Sequence, residues 1–190
     1  IGGFHGGDID DPGFRELLVR WFQYGVFCPI MRVHGIRRQS SKLRADVGKA
    51  DPNHPNVPNE VWSYGEETCA LLSDQIRLRD RLKPYIMAQM KLAETTGIPP
   101  MRPLFVDFPD APGAWEVEDQ FLFGSEVLVA PILSEGTRSR QVYLPAGTDW
   151  RNAWTGEEHA GGITVQADAP LKYIPVFLRA ESKLQLQSNK

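Results

Sequence analysis

Apolar positions early in the chain recur at helical spacing. Phe14, Leu17, Leu18, Trp21 and Phe22 fall on one face of a helix. Asp11 suits its N-cap, Pro12 its first turn and Gly25 its stop. The run that follows, Val26-Phe27-Cys28-Pro29-Ile30-Met31, has the length and character of a short buried strand, and Arg32-Val33-His34-Gly35 forms its polar tip. Residues 36–60 are polar and proline-punctuated, which predicts a long loop. Residues 61–96 return to helical spacing, with Leu72, Ile76, Leu82, Ile86 and Met90 facing inward. Pro84 should kink or split that stretch near Lys83, and Gly97 should end it.

From Met101 the period shortens. Arg102–Phe108, Phe121–Ile132, Arg140–Leu144, Trp150–Trp154, Gly162–Val165 and Tyr173–Leu178 read as short strands separated by turn signals such as Pro145-Ala146-Gly147. The chain therefore divides near residue 115, with an α/β part at 1–115 and an all-β part at 116–190. One helix–strand–helix run does not complete a doubly wound sheet. It fits the end of an incomplete (β/α)8 barrel whose neighbouring strands lie upstream of Ile1. The later strands fit a small antiparallel β-sandwich.

Composition narrows the function classes. The 190 residues carry a net charge of −3 with no block of either sign. A surface that tracks phosphates needs a basic excess, so no nucleic-acid partner is expected. No apolar run reaches the roughly 18–20 residues that span a bilayer, so no membrane partner is expected either. Cys28 and Cys69 sit in apolar contexts and read as buried free thiols. His5, His54 and His159 lack partners at metal-ligand spacing, so neither a metal nor a cofactor is implied.

Several residues can carry chemistry. His34 stands just past an apolar run, where barrel strands present functional side chains, and Arg32 shares its face in a regular strand. Such a tip can hydrogen-bond sugar hydroxyls, or His34 can make only a local bond. Phe4, on the flexible Gly2-Gly3 segment, can pack on a pyranose face or into the core. Asp8, Asp10 and Asp11 read as a solvated loop and N-cap, because paired catalytic carboxylates come from separate strands and flank one bond across roughly 5–9 Å. Trp21, Trp150 and Trp154 read as packing residues. Trp62 can line a cleft or cap the helix that follows it.

These residues also form a known pattern. Ile1-Gly2-Gly3-Phe4 resembles the Asp-Ile-Gly-Gly-Phe motif of family 31 glycoside hydrolases without its leading Asp. Arg20–Phe27 followed by Pro29-Ile30-Met31-Arg32-Val33-His34-Gly35 resembles the family's next block. Leu82–Ile86, Pro100–Phe105, Asp119–Gly124, Val129-Ala130-Pro131 and Val142–Pro145 continue the match in order. The resemblance implies a catalytic barrel followed by a proximal β-sandwich, and retaining hydrolysis of α-linked glucosides or xylosides. It implies that the catalytic aspartates lie upstream of Ile1, so that no catalytic residue is expected here and the isolated fragment is inactive. Phe4 and His34 match family positions that contact the −1 sugar, with Arg32 a supporting partner.

The partners expected on this basis are a carbohydrate substrate and the N-terminal part of the same enzyme; a homo-oligomeric parent is left open. The compartment is not readable, with cytoplasmic favoured slightly over secreted. Two other readings stay open at this point: a non-catalytic carbohydrate-binding β-sandwich and an inactive truncated remnant.

Overall fold

The computed structural model describes residues 1–4, 7–35, 37 and 59–187. His5, His54 and most of the loop expected over 36–60 lie outside the described residues.

Helix α1, Pro12–Val26, begins as its sequence requires. The Asp11 carboxylate accepts from the Gly13 N–H at 3.0 Å, and Pro12 occupies the first turn, where its missing N–H costs nothing. Asp8 likewise accepts from the Asp10 N–H, and Asp10 pairs with Arg15 at 3.6 Å, so the acidic cluster is occupied in holding the helix entry. The helix runs through Gly25 rather than stopping there. A side chain at Gly25 would meet Ile1 Cδ1 at 2.7 Å, so glycine serves close approach, not termination.

The buried face of α1 is rotated from the expected one. Leu18, Val19 and Phe22 are buried in a cluster with Tyr64 and Leu72, whereas Leu17 is 50% and Trp21 38% exposed. The rotation follows from a second buried side. There the Arg20 guanidinium donates to the carbonyls of Thr137, Ala169, Pro170 and Tyr173, and Gln23 donates to that of Leu171. Burial pulls the Arg20 pKa down to about 10, with Arg138 adding to the effect and Glu16 opposing it.

The segment Val26–Met31 is not a strand. Beyond α1 it turns at Phe27 and bends through 28–30, and Ile30 is 83% exposed. A strand exists only as one line of a ladder, and no strand among the described residues pairs with it. Arg79 instead donates to the carbonyls of Gly25, Val26, Cys28 and Pro29 at 2.8–3.1 Å. Cys28 and Cys69 are free but half-buried rather than buried, and burial pushes the Cys28 thiol up.

A 3-10 turn at Val61–Tyr64 leads into helix α2, Glu66–Thr96, which runs unbroken through Pro84 and ends at Gly97 in the left-handed region, φ 75°. The expected split at Lys83 does not occur, because packing along the helix outweighs one lost backbone bond. Leu72, Leu78, Leu82, Tyr85 and Ile86 are buried, whereas Ile76 (46%) and Met90 (39%) point outward. Gln75 and Gln89 take inward places that a purely apolar pattern does not reveal.

Eight strands follow: β1 Met101–Arg102, β2 Phe121–Phe123, β3 Val127–Val129, β4 Ser139–Leu144, β5 Trp150–Asn152, β6 Glu158–His159, β7 Ile163–Asp168 and β8 Val176–Arg179. All pairings are antiparallel, in a six-stranded sheet of order β1-β2-β3-β8-β5-β6 and a β4–β7 ribbon. The expected strand 102–108 shrinks to β1. Pro103 has no N–H for a ladder, and Leu104–Val106 forms a 3-10 turn. The run 121–132 is a hairpin folded at Gly124, φ 66°, where a side chain would strike the Tyr85 hydroxyl at 2.2 Å. Strand β6 and a short helix α3, Gly113–Glu116, carry no apolar period and were not expected.

The large sheet is buried on both faces, and the period-2 alternation shows how. Phe123, Val127, Val129, Val176 and Leu178 face α2 and the end of α1. Leu122, Leu128, Phe177 and Trp150 face Val142, Leu144 and Ala167 of the ribbon. The sheet thus lies between a helical layer and the β4–β7 ribbon.

Candidate functional site

Phe4 and His34 come together although 30 residues of chain separate them. Their ring centroids are 5.2 Å apart with planes inclined at 45°. Arg32 Nη2 approaches His34 Nδ1 at 3.4 Å, the long end of a hydrogen bond. All three side chains are exposed. The structure therefore assembles the three residues singled out from the sequence into one cluster on an open surface.

Two segments outside any helix or strand carry this cluster. The Ile1 amine donates to the Arg32 carbonyl at 2.9 Å, and Gly3 O and Phe4 O lie against Gly35. Residues 1 to 4 thus run beside residues 32 to 35 in the same direction, with α1 as the connection between them. Neither segment is a strand, but their order, segment–helix–segment running the same way, is the connection that a βαβ unit uses.

The backbone contact between these segments leaves no room for side chains. Gly2 and Gly35 have φ of 81° and 135°. A Cβ at Gly2 would lie 2.3 Å from Arg37 Nη2, and one at Gly35 would lie 2.3 Å from Gly3 O. Arg37 itself was not singled out from the sequence. It is fully buried, donates from Nη1 to Gly3 O at 3.2 Å and from Nε to Tyr64 Oη at 2.9 Å, and lies over the Phe14 ring at 5.3 Å. Tyr64 Oη donates to Asn59 Oδ1, and Asn59 Nδ2 donates to Gly35 O at 3.1 Å. A buried arginine inside a polar stretch leaves no periodic trace, so the pattern of the sequence could not point to it.

The tryptophans divide. Trp150 is fully buried, its indole N–H donating to Pro145 O, and Trp154 is half-buried against Tyr173. Trp62 is 69% exposed on the 3-10 turn, and Trp21 is not the core residue its spacing suggested. Among the described residues no cluster of three His, Cys, Asp or Glu side chains could hold a metal ion, and no helix is long and apolar enough to cross a membrane. A cleft of about 480 Å³ between α1 and the start of α2, lined by Arg15, Tyr64, Glu67 and Leu71, includes neither Phe4 nor His34.

Comparison with known proteins bears on the same residues. Residues 1–89, which hold the cluster, match the model of the glycosyl hydrolases family 31 TIM-barrel domain, and residues 97–183 match that of the glycosyl hydrolase family 31 C-terminal domain. An α-xylosidase of Saccharolobus solfataricus is 33% identical over 185 residues, covering 97% of this chain and 23% of that protein. α-Glucosidase 2 of Bacillus thermoamyloliquefaciens is 36% identical over 174 residues, covering 90% of this chain and 19% of that protein. The solved structure of a family 31 α-xylosidase from a soil metagenome, complexed with xylose, superposes with a TM-score of 0.86 at 49% identity. It covers 96% of this chain and 27% of that one. The chain spans less than a quarter of the length of these two curated relatives.

Proposed function

Because the chain belongs to glycosyl hydrolase family 31, an O-glycosyl hydrolase family, we propose that it is the sugar-holding part of a retaining α-glycosidase that releases terminal α-linked xylose or glucose. In this reading residues 1–115 end a (β/α)8 barrel and residues 116–190 form the proximal β-sandwich, whose sheet borrows its first strand from Met101–Arg102. The nucleophile and the acid/base belong to the part of the enzyme outside this chain. Its 23% share of the Saccharolobus relative and the parallel 1–4 and 32–35 segments support that division. So does Ile30, an apolar side chain left 83% exposed on a segment without a pairing strand among the described residues.

The observation that carries the reading is the Phe4–His34 pair. A pyranose has an apolar face of C–H bonds and an equator of hydroxyls. The Phe4 ring covers the first kind of surface, and the His34 ring offers a nitrogen to the second. A guanidinium has donors only, so its contact with Nδ1 makes that atom the acceptor and leaves the proton of the neutral ring on Nε2. His34 then presents an N–H donor to a sugar hydroxyl oxygen. Held in this way, the anomeric carbon faces a carboxylate nucleophile. That carboxylate forms a glycosyl-enzyme as the second carboxylic acid protonates the leaving oxygen; the same group then activates water, and the configuration is retained. Xylose is the first sugar to test, because the metagenomic structure that shares 49% identity holds xylose.

The test uses the full-length parent enzyme with p-nitrophenyl α-xyloside and α-glucoside. His34→Ala should raise KM and lower kcat on the preferred substrate, and kinetics like those of the unaltered enzyme would overturn the binding role. The isolated 190-residue chain should hydrolyse neither substrate above a buffer blank. Activity that survives purification would show that the catalytic carboxylates lie within it.

A further inference from the structure

The polar cluster beneath Phe4 and His34 takes no part in the chemistry above. Arg37 is a fully buried guanidinium, and burying one is costly unless its donors are filled. Here Nη1 and Nε connect, directly and through Tyr64, to both of the closely packed segments. Nη1 holds the carbonyl of Gly3, the residue before Phe4. Nε holds the Tyr64 hydroxyl, which passes its own proton to Asn59, and Asn59 grips the carbonyl of Gly35, the residue after His34. The phenol has one proton and gives it to Asn59, so the order of donors and acceptors is fixed along the whole chain of bonds. Burial pushes the Tyr64 phenol up and so keeps the hydroxyl protonated, against the opposing influence of Arg37.

The circuit therefore ends on the two backbone positions that flank the candidate sugar contacts. Its fit is close. Gly2 has no space for a Cβ because Arg37 occupies it, and Gly35 has none because Gly3 O does. The Phe14 ring closes the underside of the guanidinium.

We infer that Arg37 is a positioning residue that, through Tyr64 and Asn59, sets the spacing of Phe4 and His34 so that both engage one sugar ring. This rests on the reading of Phe4 and His34 as sugar contacts. Arg37 itself touches no substrate. It acts by holding two backbones in register, and misplacement by about 1 Å can cost on the order of a hundredfold in rate.

The experiment compares Arg37→Met, Arg37→Lys, Tyr64→Phe, His34→Ala and the Arg37→Met/His34→Ala double variant in the full-length enzyme, on whichever aryl α-glycoside it hydrolyses. Rates are taken per active site, titrated with a covalent glycosidase inactivator. Arg37→Met should lower kcat/KM by about 10–100-fold, largely through KM. Arg37→Lys, which cannot reach Gly3 and Tyr64 together, should recover only part of the loss. Tyr64→Phe keeps the buried ring and loses the relay, so it should shift KM in the same direction by less. The double variant should lose less than the product of the two single losses, because the part of the Arg37→Met loss that acts through His34 is already gone. Losses that multiply in the double variant would overturn the inference. So would an Arg37→Met enzyme with fewer active sites but normal KM and kcat at each, which would mark a purely structural residue. If His34→Ala behaves normally, the sugar-contact reading falls and takes this inference with it. If His34→Ala is impaired while Arg37→Met and Tyr64→Phe are normal, this inference falls alone.

Discussion

Two short apolar runs in this chain look alike as sequences and end in different states. Val176–Arg179 becomes strand β8 at the centre of the large sheet, bonded to β3 on one side and β5 on the other. Val26–Met31 has no ladder on either side among the described residues, and its carbonyls are held by the Arg79 guanidinium. The difference lies in the partners, not in the runs. A strand satisfies its backbone through its neighbours, and where none stands beside it another donor must do so. The run with partners is buried on both faces, and the one without them leads into the exposed His34 cluster.

Four substitutions probe this contrast. The largest effect is expected at Phe177, which is 1% exposed between the large sheet and the ribbon, next to Trp150. Phe177→Ala should lower unfolding stability by about 3–5 kcal/mol, read from a urea titration of the chain. A loss below about 1 kcal/mol would mean that the layer between sheet and ribbon is loosely packed.

Arg79→Met should cost about 2 kcal/mol, because charge-assisted bonds to half-buried carbonyls are lost. Its sharper signature is hydrogen exchange. Amides in 26–35 should exchange faster while β8 keeps its protection. Uniform acceleration across both regions would show that the two runs open as one unit.

A third, smaller effect comes from the bridge that ties α1 to the loop before β4. Glu16 accepts two bonds from Arg138 and one from the Gly136 N–H. The Arg138 bond is the main reason that its pKa lies below the ordinary 4.5, with burial opposing. A depressed carboxylate pKa gives stability that is fully present above that ordinary value and is lost as pH falls through the depressed one. Glu16→Gln should therefore be less stable than the unaltered chain at neutral pH by up to about 1 kcal/mol, since Arg138 is partly exposed. The gap should close in acid, and urea midpoints across pH would show it. A gap that stays constant with pH would mean that the bridge contributes through packing alone.

Ile30→Ala should be the smallest, within about 0.5 kcal/mol, because the side chain is already 83% exposed. In the full-length enzyme the same change should cost more, if upstream barrel strands cover Ile30. Equal effects in the two contexts would remove one support for the incomplete barrel.

Much of the organisation was legible because it rests on local chemistry. The Asp11-Pro12 entry to α1, the Gly97 end of α2 and the change of period from Met101 follow from caps, backbone freedom and side-chain alternation. The cluster of Phe4, Arg32 and His34 was legible through spacing and family resemblance together. Legibility failed where long-range packing chose among local options. Arg20 and Gln23 face the Pro170–Tyr173 loop and rotate α1, so Leu17 and Trp21 turn outward. Pro84 sits in an unbroken helix because the flanking turns are anchored on the sheet. Arg37 belongs to no period at all, and its role exists only where Gly3, Tyr64 and Asn59 meet around it.

The sequence by itself determined the two long helices and the rough places of most short strands after Met101, since these follow from residue types within a few positions; with the family resemblance it also singled out the three side chains of the candidate site. Only the tertiary structure decided which strands acquire partners, which side of each helix is buried, and that Phe4 and His34 stand 5.2 Å apart. Those outcomes depend on hydrogen bonds and contacts between residues far apart in the chain, and no local pattern encodes a partner that lies elsewhere.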